Sequence, residues 1–201
     1  MSPAVFAHLS EGSMADTTLR ANRRAFERQA IYNRILVAGE HGSTELMLCG
    51  QHFRHPFLLA PVAHQGLFHA DAELASAQAA NALEAGLVLS TLSSTRLEEV
   101  AAQTQAPRWF QLYFQASKDA TLGLLKRAET AGYNAIVVTL DVPVHGVRRG
   151  SQRLGFALPA HLIAVNLQGI EGGQARAISR DDSTVFQGYM ADAPNWDDLA
   201  W

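Results

Sequence analysis

Polar side chains recur at the ends of consecutive apolar segments in the middle of this sequence. The ones that can form hydrogen bonds there belong to Ser90, Gln111, Tyr113, Thr139 and Asp141. Buried polar groups need partners, and a flat polar ligand such as a flavin ring would supply them. Alternatively, each group satisfies only the backbone of its own loop. Because the pattern recurs on one segment after another, it favours a ligand site.

The apolar segments alternate with helix-forming ones, and this alternation predicts the elements that position the polar groups. The predicted strands cover residues 56–60, 87–91, 108–113 and 135–140, and the predicted helices cover 71–84, 95–103 and 118–130. Strands that are apolar on both faces and alternate with helices form a parallel sheet covered by helices. In such folds ligands bind outside the carboxyl ends of the strands, which is where the polar groups lie.

Local signals predict where individual elements begin and end. A helix over 16–30 is predicted to begin at Asp16 or at one of the two threonines after it, Thr17 and Thr18. The other predicted helix starts are a capping box of Thr95 with Glu98, Ser117 and Asn195, and the predicted helix ends are Gly86 and Gly132. Residues 45–49 and 56–60 read as strands joined by a polar turn around Gly50. Residues 144–195 show no clean periodicity, and a loop of that length is usually functional or mobile.

Composition excludes several classes of protein. With 201 residues and a formal charge of −3, the chain has no basic face for nucleic acid. Cys49, the single cysteine, precludes an internal disulfide and is predicted to be a small buried residue. No secretory signal or membrane-spanning run is evident, so we expect a cytoplasmic protein. The apolar segment 156–167 leaves open a peripheral contact with the inner membrane or with a partner, and equally leaves open burial inside the fold beside the strand ends.

No metal site is predicted. His52 with His55, and His64 with His69, are the histidine pairs that suggest one. Neither pair has a convincing helical ligand spacing with an acidic third partner.

The order and spacing of several motifs resemble the FMN-dependent α-hydroxy acid dehydrogenase/oxidase family over nearly the whole chain. The matching motifs are Asn33–Leu36, Ala60–Ala63, Leu89–Ser90, Leu97–Ala101, Phe110–Tyr113, residues 139–149 and Trp196–Asp198. The family includes lactate oxidase, glycolate oxidase and mandelate dehydrogenase. Membership implies an α/β TIM (β/α)8 barrel, FMN as cofactor, and oxidation of an L-2-hydroxy acid to the 2-oxo acid by hydride transfer to flavin N5.

The resemblance also implies where the cofactor lies. The backbone of Pro61, Val62 and Ala63 would lie against the flavin. Ser90, Gln111 and Thr139 would form hydrogen bonds with the isoalloxazine ring.

Four further residues would bind the substrate or assist its oxidation. Tyr113 would stabilise the substrate hydroxyl as it loses its proton, and Asp141 would orient a catalytic histidine. Arg148 would bind the substrate carboxylate with its guanidinium fork. His8 stands where the family usually has a tyrosine that also binds this carboxylate. A second departure is Leu92, which replaces the tryptophan of glycolate oxidase.

The chain holds only part of the family's pattern. We predict an N-terminal extension with a hairpin over 1–55, the first four barrel strands over 56–143, and a long loop with the start of the next helix over 144–201. The catalytic histidine and the phosphate-binding strands of the family lie in the second half of the barrel. The leading interpretation is therefore the amino-terminal half of an oxidoreductase.

Two other interpretations stay open. The chain could be a non-catalytic half-barrel that binds or assembles with a complementary chain, or a part of another phosphate-binding TIM-barrel enzyme. For the leading one, the expected partners are a small 2-hydroxy acid, an electron acceptor (oxygen, a quinone or a cytochrome), and further copies of the chain or a complementary half-barrel.

Overall fold

The computed structural model describes residues 1–39, 41–141, 146–170, 183 and 193–201, which form two compact units. One unit comprises Met1–Thr44 with His145–Pro159, and the other comprises Glu45–Val144 with Ala160–Trp201. The helices are α1 Pro3–Ser10, α2 Thr17–Glu27, α3 Ala72–Ala82, α4 Leu97–Ala101, α5 Lys118–Thr130, α6 Arg149–Arg153 and α7 Trp196–Ala200. The strands are β1 Leu46–Leu48, β2 Gln51–Phe53, β3 Leu58–Leu59, β4 Gly86–Ser90, β5 Arg108–Leu112 and β6 Ala135–Val138.

The first unit is built from α1, α2 and α6. Helix α1, which the sequence did not predict, begins with Pro3, whose missing N–H is tolerated at a helix start. Ser2 caps it by accepting the N–H of Val5 at 3.3 Å. Asp16 stands at the start of α2 as predicted, but its carboxylate accepts the N–H of Gly12 at 2.9 Å rather than a helical N–H. Asp16 therefore fixes the turn before the helix.

The second unit contains the predicted parallel sheet, in the order β3-β4-β5-β6. Helix α3 connects β3 to β4, α4 connects β4 to β5, and α5 connects β5 to β6, so each of the first three strands of the sheet is followed by a helix as the alternation predicted. In register, Leu89 of β4 lies beside Phe110 of β5, which lies beside Ile136 of β6. The α/β prediction is confirmed.

One face of this sheet packs against the helices and forms the core. Its buried members are Ala77, Ala80, Leu87, Leu89, Leu97, Val100, Ala101, Phe110, Leu112, Leu124, Ala128 and Tyr133. The Tyr133 hydroxyl donates to the carbonyl of Leu97 at 2.8 Å, and burial raises the pKa of this phenol. Because side chains alternate along a strand, the neighbours of these core residues point to the opposite face of the sheet.

The hairpin differs from its prediction. Residues 46–48 do form a strand, but they pair antiparallel with 51–53 and not with 56–60. The turn is two residues, Cys49 and Gly50, both at positive φ, and such a turn suits a tight hairpin. Cys49 is therefore exposed in a turn, so the prediction that it is buried was wrong.

Two predicted helix signals were wrong. Gly86 does not end a helix but begins β4, where a Cβ atom would lie only 2.7 Å from Cε1 of Phe53. Helix α4 has Arg96 at its cap position, without a side-chain cap. The capping box of Thr95 with Glu98 does not form, because Thr95 donates to Glu73 and Glu98 pairs with Arg127.

Three other signals were confirmed. Ser117 caps α5 by accepting the N–H of Ala120 at 3.1 Å, and Gly132 follows the helix with φ 78°. Asn195 and Asp198 form a reciprocal capping box at the start of α7.

The described parts of the long carboxyl-terminal segment contain α6 and a short 3₁₀ helix, Val165–Leu167. His145 and most of residues 171–192 lie outside the described residues. Within the part that is described, no helix has both the length and the apolar content needed to cross a bilayer.

Candidate active site

The face of the parallel sheet that points away from the core carries the predicted polar groups. Ser90 lies directly beside Gln111, and Gln111 lies beside Val137. Thr139 is two residues beyond Val137 and therefore continues the same face. Its backbone N–H donates to the carbonyl of Leu112 at 3.1 Å, which extends the ladder past the end of β6. Three adjacent strands thus present polar side chains at their carboxyl ends.

The amide of Gln111 joins these side chains into one network. Its Oε1 accepts the hydroxyl of Ser90 at 3.3 Å and the backbone N–H of Thr91 at 3.2 Å. Its Nε2 donates to the hydroxyl of Thr139 at 2.9 Å. Gln111 is only 2% exposed and Ser90 only 4%. These bonds fix the orientation of the amide, so its donor and acceptor sides are defined.

Thr91 holds the backbone on which this network stands. Its hydroxyl donates to the carbonyl of Gln111 at 2.5 Å and accepts the N–H of Tyr113 at 3.2 Å. The residue is fully buried. One hydroxyl therefore fixes two positions of β5 and its extension, which makes Thr91 a positioning residue.

We expect Thr91→Val to destabilise the complete protein by about 2 kcal/mol, because a buried carbonyl and a partly buried N–H both lose this partner. Thr91→Ser keeps the hydroxyl and should lose much less. Chemical denaturation of the two variants and the parent measures the difference. Equal stability of the valine and serine variants would contradict this role of the hydroxyl.

The end of β3 leads into the residues predicted to lie against a ligand. Pro61 and Val62 are exposed, with Val62 at 41%, and Ala63 is half-buried. His64 follows with φ 50°, and its N–H donates to the carbonyl of Leu92 at 2.9 Å. Its Nδ1 is buried and has no hydrogen-bond partner in the described parts of the chain. Burial lowers the pKa of His64, and the charge of Glu73 opposes this more weakly.

Tyr113 and Asp141 follow the same alternation beyond the ends of β5 and β6. Tyr113 is half-buried and Asp141 is exposed. Among residues 1–39, 41–141, 146–170, 183 and 193–201, no cation lies within ion-pair distance of Asp141. Its carboxylate is therefore not committed to a structural ion pair with these residues.

The other two predicted substrate residues contact each other within the first unit. Nη1 of Arg148 donates to the carbonyl oxygen of His8 at 2.7 Å and lies 3.3 and 3.4 Å from the two ring nitrogens. The His8 ring stacks on Phe156 with centroids 4.0 Å apart. Burial and, secondarily, the Arg148 charge lower the pKa of His8. The imidazole is therefore biased towards its neutral form beside the guanidinium.

The guanidinium of Arg148 keeps one edge open. Nε and Nη2 form no hydrogen bond with any residue that the structure describes. That edge presents two parallel N–H groups, which is the geometry that a carboxylate accepts. The pair of His8 and Arg148 thus has the donors needed to bind a carboxylate.

The described residues contain no group of three or more His, Cys, Asp and Glu side chains that could hold a metal ion.

One buried group near the site gave no signal in the sequence. Glu73 in the first turn of α3 is 1% exposed, and its carboxylate accepts bonds from two loops. An acidic residue near a helix start is common, so only the tertiary structure distinguishes it.

Comparison with known proteins gives one consistent family. The profile of the family described as FMN-dependent dehydrogenase matches residues 1–201. The chain is 47% identical over 195 residues to an L-lactate oxidase from Alicycliphilus denitrificans, covering 97% of this chain and 53% of that protein. It is 43% identical over 162 residues to a 4-hydroxymandelate oxidase from Amycolatopsis orientalis, covering 81% and 45%.

The comparison with solved structures leads to the same group of oxidases as the comparison of sequences. The crystal structure of mandelate oxidase with benzoyl-formic acid superposes with a TM-score of 0.79 at 42% identity, covering 83% of this chain and 49% of that one. The four parallel strands and their helices correspond to part of this TIM-barrel fold, as the resemblance implied. The chain spans about half the length of the curated relatives it matches.

Proposed function

The chain belongs to the FMN-dependent dehydrogenase family, and we propose that the complete protein oxidises an L-2-hydroxy acid of the lactate, glycolate or mandelate type to the 2-oxo acid. The observation that carries this proposal is the network of Ser90, Gln111 and Thr139 across three adjacent strand ends. The relatives' names supply the substrate class.

The chemistry of these residues fits a flavin ring. Two hydroxyls and one oriented amide offer both donors and acceptors in a row, which suits the alternating N–H and C=O groups along one edge of an isoalloxazine. Pro61, Val62 and Ala63 offer an apolar surface without charged groups beside that row. Ser90, Gln111 and Thr139 would hold the ring, and strands outside this chain would hold the phosphate.

When bound, FMN supplies a hydride acceptor at N5. The residues of this chain prepare the substrate for that transfer. Arg148 and His8 bind its carboxylate, and the hydroxyl of Tyr113 donates to the substrate oxygen as its proton leaves. The proton passes to a histidine supplied by the second half of the barrel. Asp141 orients that histidine and stabilises its charged form.

Oxygen is the electron acceptor that the relatives favour, because they are named oxidases. A quinone or a cytochrome is the alternative acceptor. With either acceptor the substrate is bound and oxidised in the same way, so the identity of the acceptor does not alter the roles given to these residues.

The two edge strands of the parallel sheet support the proposal that further strands complete a barrel. Strands β3 and β6 each pair on one side only within the described residues. Open parallel edges favour association, and exposed apolar side chains lie on these strands and just beyond them, including Leu59, Ile136 and Leu140. We propose that this chain forms the first four strands of a barrel in a cytoplasmic homo-oligomer, with peripheral membrane contact at segment 156–167 as an option.

Complementation of the two barrel halves tests the proposed function. The 201-residue chain alone should show no turnover of L-lactate or mandelate and only weak FMN binding. Addition of the second half in trans should restore flavin binding and activity together, as measured by flavin fluorescence and an oxidase assay.

Two outcomes would count against it. Steady turnover by the chain alone would contradict the role of the second half. Restored assembly without flavin or activity would favour the other interpretation, a non-catalytic half-barrel.

A further inference from the structure

Glu73 is a buried carboxylate that the proposed mechanism does not use. Its Oε1 accepts the N–H of Gln65 at 3.1 Å and the N–H of Ser94 at 2.8 Å. Its Oε2 accepts the hydroxyl of Thr95 at 2.8 Å. Within the described residues, no cation lies within 4 Å of it. Three donors from two different loops therefore replace an ion pair.

Burial of a carboxylate without a cation is costly. Part of the cost is offset because Glu73 lies in the first turn of α3, where the helix dipole favours a negative charge. The rest must come from the three hydrogen bonds. The buried carboxylate keeps its hydrogen bonds only while both loops hold this arrangement. The stability of the core therefore depends on the positions of both loops.

These two loops carry the residues proposed to contact the flavin. Gln65 belongs to the loop after β3, which begins with Pro61, Val62 and Ala63. Ser94 and Thr95 belong to the loop after β4, which follows directly on Ser90.

Additional bonds connect the same pair of loops. The N–H of His64 donates to the carbonyl of Leu92 at 2.9 Å, and the N–H of Gly66 donates to the hydroxyl of Ser94 at 3.2 Å. The N–H of Leu92 in turn donates to Oγ of Ser90 at 3.1 Å. Hydrogen bonds, together with the peptide link between His64 and Gln65, therefore connect Glu73 to a side chain of the proposed ring site.

We infer that Glu73 is a positioning residue for the flavin: it holds the loops after β3 and β4 in the relative position that ring binding requires. This inference rests on the proposed function. The role inferred for Glu73 is an effect on the affinity for FMN and on the environment of the flavin ring. This effect is additional to any contribution of Glu73 to the general stability of the fold.

Three variants of the complete protein test the inference. Glu73→Leu keeps the volume and removes both acceptor oxygens, and with them all three hydrogen bonds. Glu73→Gln keeps one oxygen for the two N–H groups, and its amide can donate to Thr95, so the geometry survives without the charge. Ala80→Gly is the matched control, because Ala80 is buried in the same helix and is not part of the hydrogen bonds that join the two loops.

The measurements are the FMN dissociation constant of the apoprotein, the visible spectrum of the bound flavin, and the melting temperature. We expect Glu73→Leu to weaken FMN binding by about ten-fold or more, and to shift the flavin bands, because two backbone donors lose their acceptor. Glu73→Gln should stay within about three-fold of the parent. Ala80→Gly should lower the melting temperature without changing the affinity or the spectrum.

Several results would overturn the inference. These are unchanged FMN affinity and spectrum in Glu73→Leu, a loss in Glu73→Gln as large as in Glu73→Leu, or an equal loss of affinity in Ala80→Gly. If Glu73→Leu does not fold, Thr95→Val decides: weaker FMN binding supports the inference, and unchanged binding overturns it. A parent protein that binds no FMN would instead refute the proposed function itself.

Discussion

Replacement of Asp141 by asparagine should slow flavin reduction by about a thousand-fold in the complete protein, because the protonated base loses its counter-charge. The substitution keeps the shape of the side chain. Asp141 is exposed, and it pairs with no cation of the described residues, so its loss should leave the fold intact. Stopped-flow absorbance under anaerobic conditions measures the rate.

Asp119→Asn is the matched control for this variant, since Asp119 is also an exposed aspartate, in the first turn of α5. It should reduce flavin at the parental rate. An Asp141→Asn protein that reduces flavin as fast as the control would show that Asp141 does not act on the base.

Replacement of Arg148 by lysine should raise KM for the 2-hydroxy acid by about 10- to 100-fold and affect kcat less, because charged hydrogen bonds to the carboxylate are lost. In the structure Nη1 of Arg148 donates to the carbonyl of His8, while the edge formed by Nε and Nη2 makes no hydrogen bond with the described residues. A single ammonium group cannot replace both functions at once.

Arg153→Lys serves as the control here, because Arg153 is exposed at the end of α6, the helix that Arg148 directly precedes. Steady-state kinetics with L-lactate and mandelate compares the two variants. If KM of Arg148→Lys equals that of the control, Arg148 does not bind the substrate carboxylate.

The part of the site that lies on the sheet follows from local rules. The strands alternate their side chains between two faces, and the parallel register places strand ends together. Ser90, Gln111 and Thr139 were therefore predictable as neighbours from the sequence, and the structure joins them by hydrogen bonds. The roles of Tyr113, Asp141 and Arg148 stay predictions that rest on the family resemblance.

Contacts between distant residues explain where sequence signals failed. Thr95 and Glu98 have the spacing of a capping box, yet the hydroxyl of Thr95 donates to Glu73. Glu98 receives two bonds from Arg127 at 2.8 and 3.0 Å, and these hold the pKa of its carboxyl below the usual range. The partners lie 22 and 29 residues away, so a local pattern does not reveal them.

The roles of Gly86 and Glu73 depend on tertiary packing, which a local sequence pattern does not reveal. The sequence predicted Gly86 as a helix end, whereas the structure needs a glycine because Phe53 and Leu58 leave no room for a Cβ atom. Glu73 was not singled out, since its importance depends on two loops that meet only in the folded sheet. Tertiary packing decides both positions.

We propose that this chain supplies the ring-binding side of an FMN-dependent 2-hydroxy acid oxidoreductase. The most direct measurement is the visible spectrum of the purified complete protein before and after anaerobic addition of L-lactate or mandelate. We expect a yellow protein whose flavin absorption disappears on addition of the hydroxy acid and returns with oxygen or another acceptor. A colourless protein that takes up no FMN on reconstitution would contradict it.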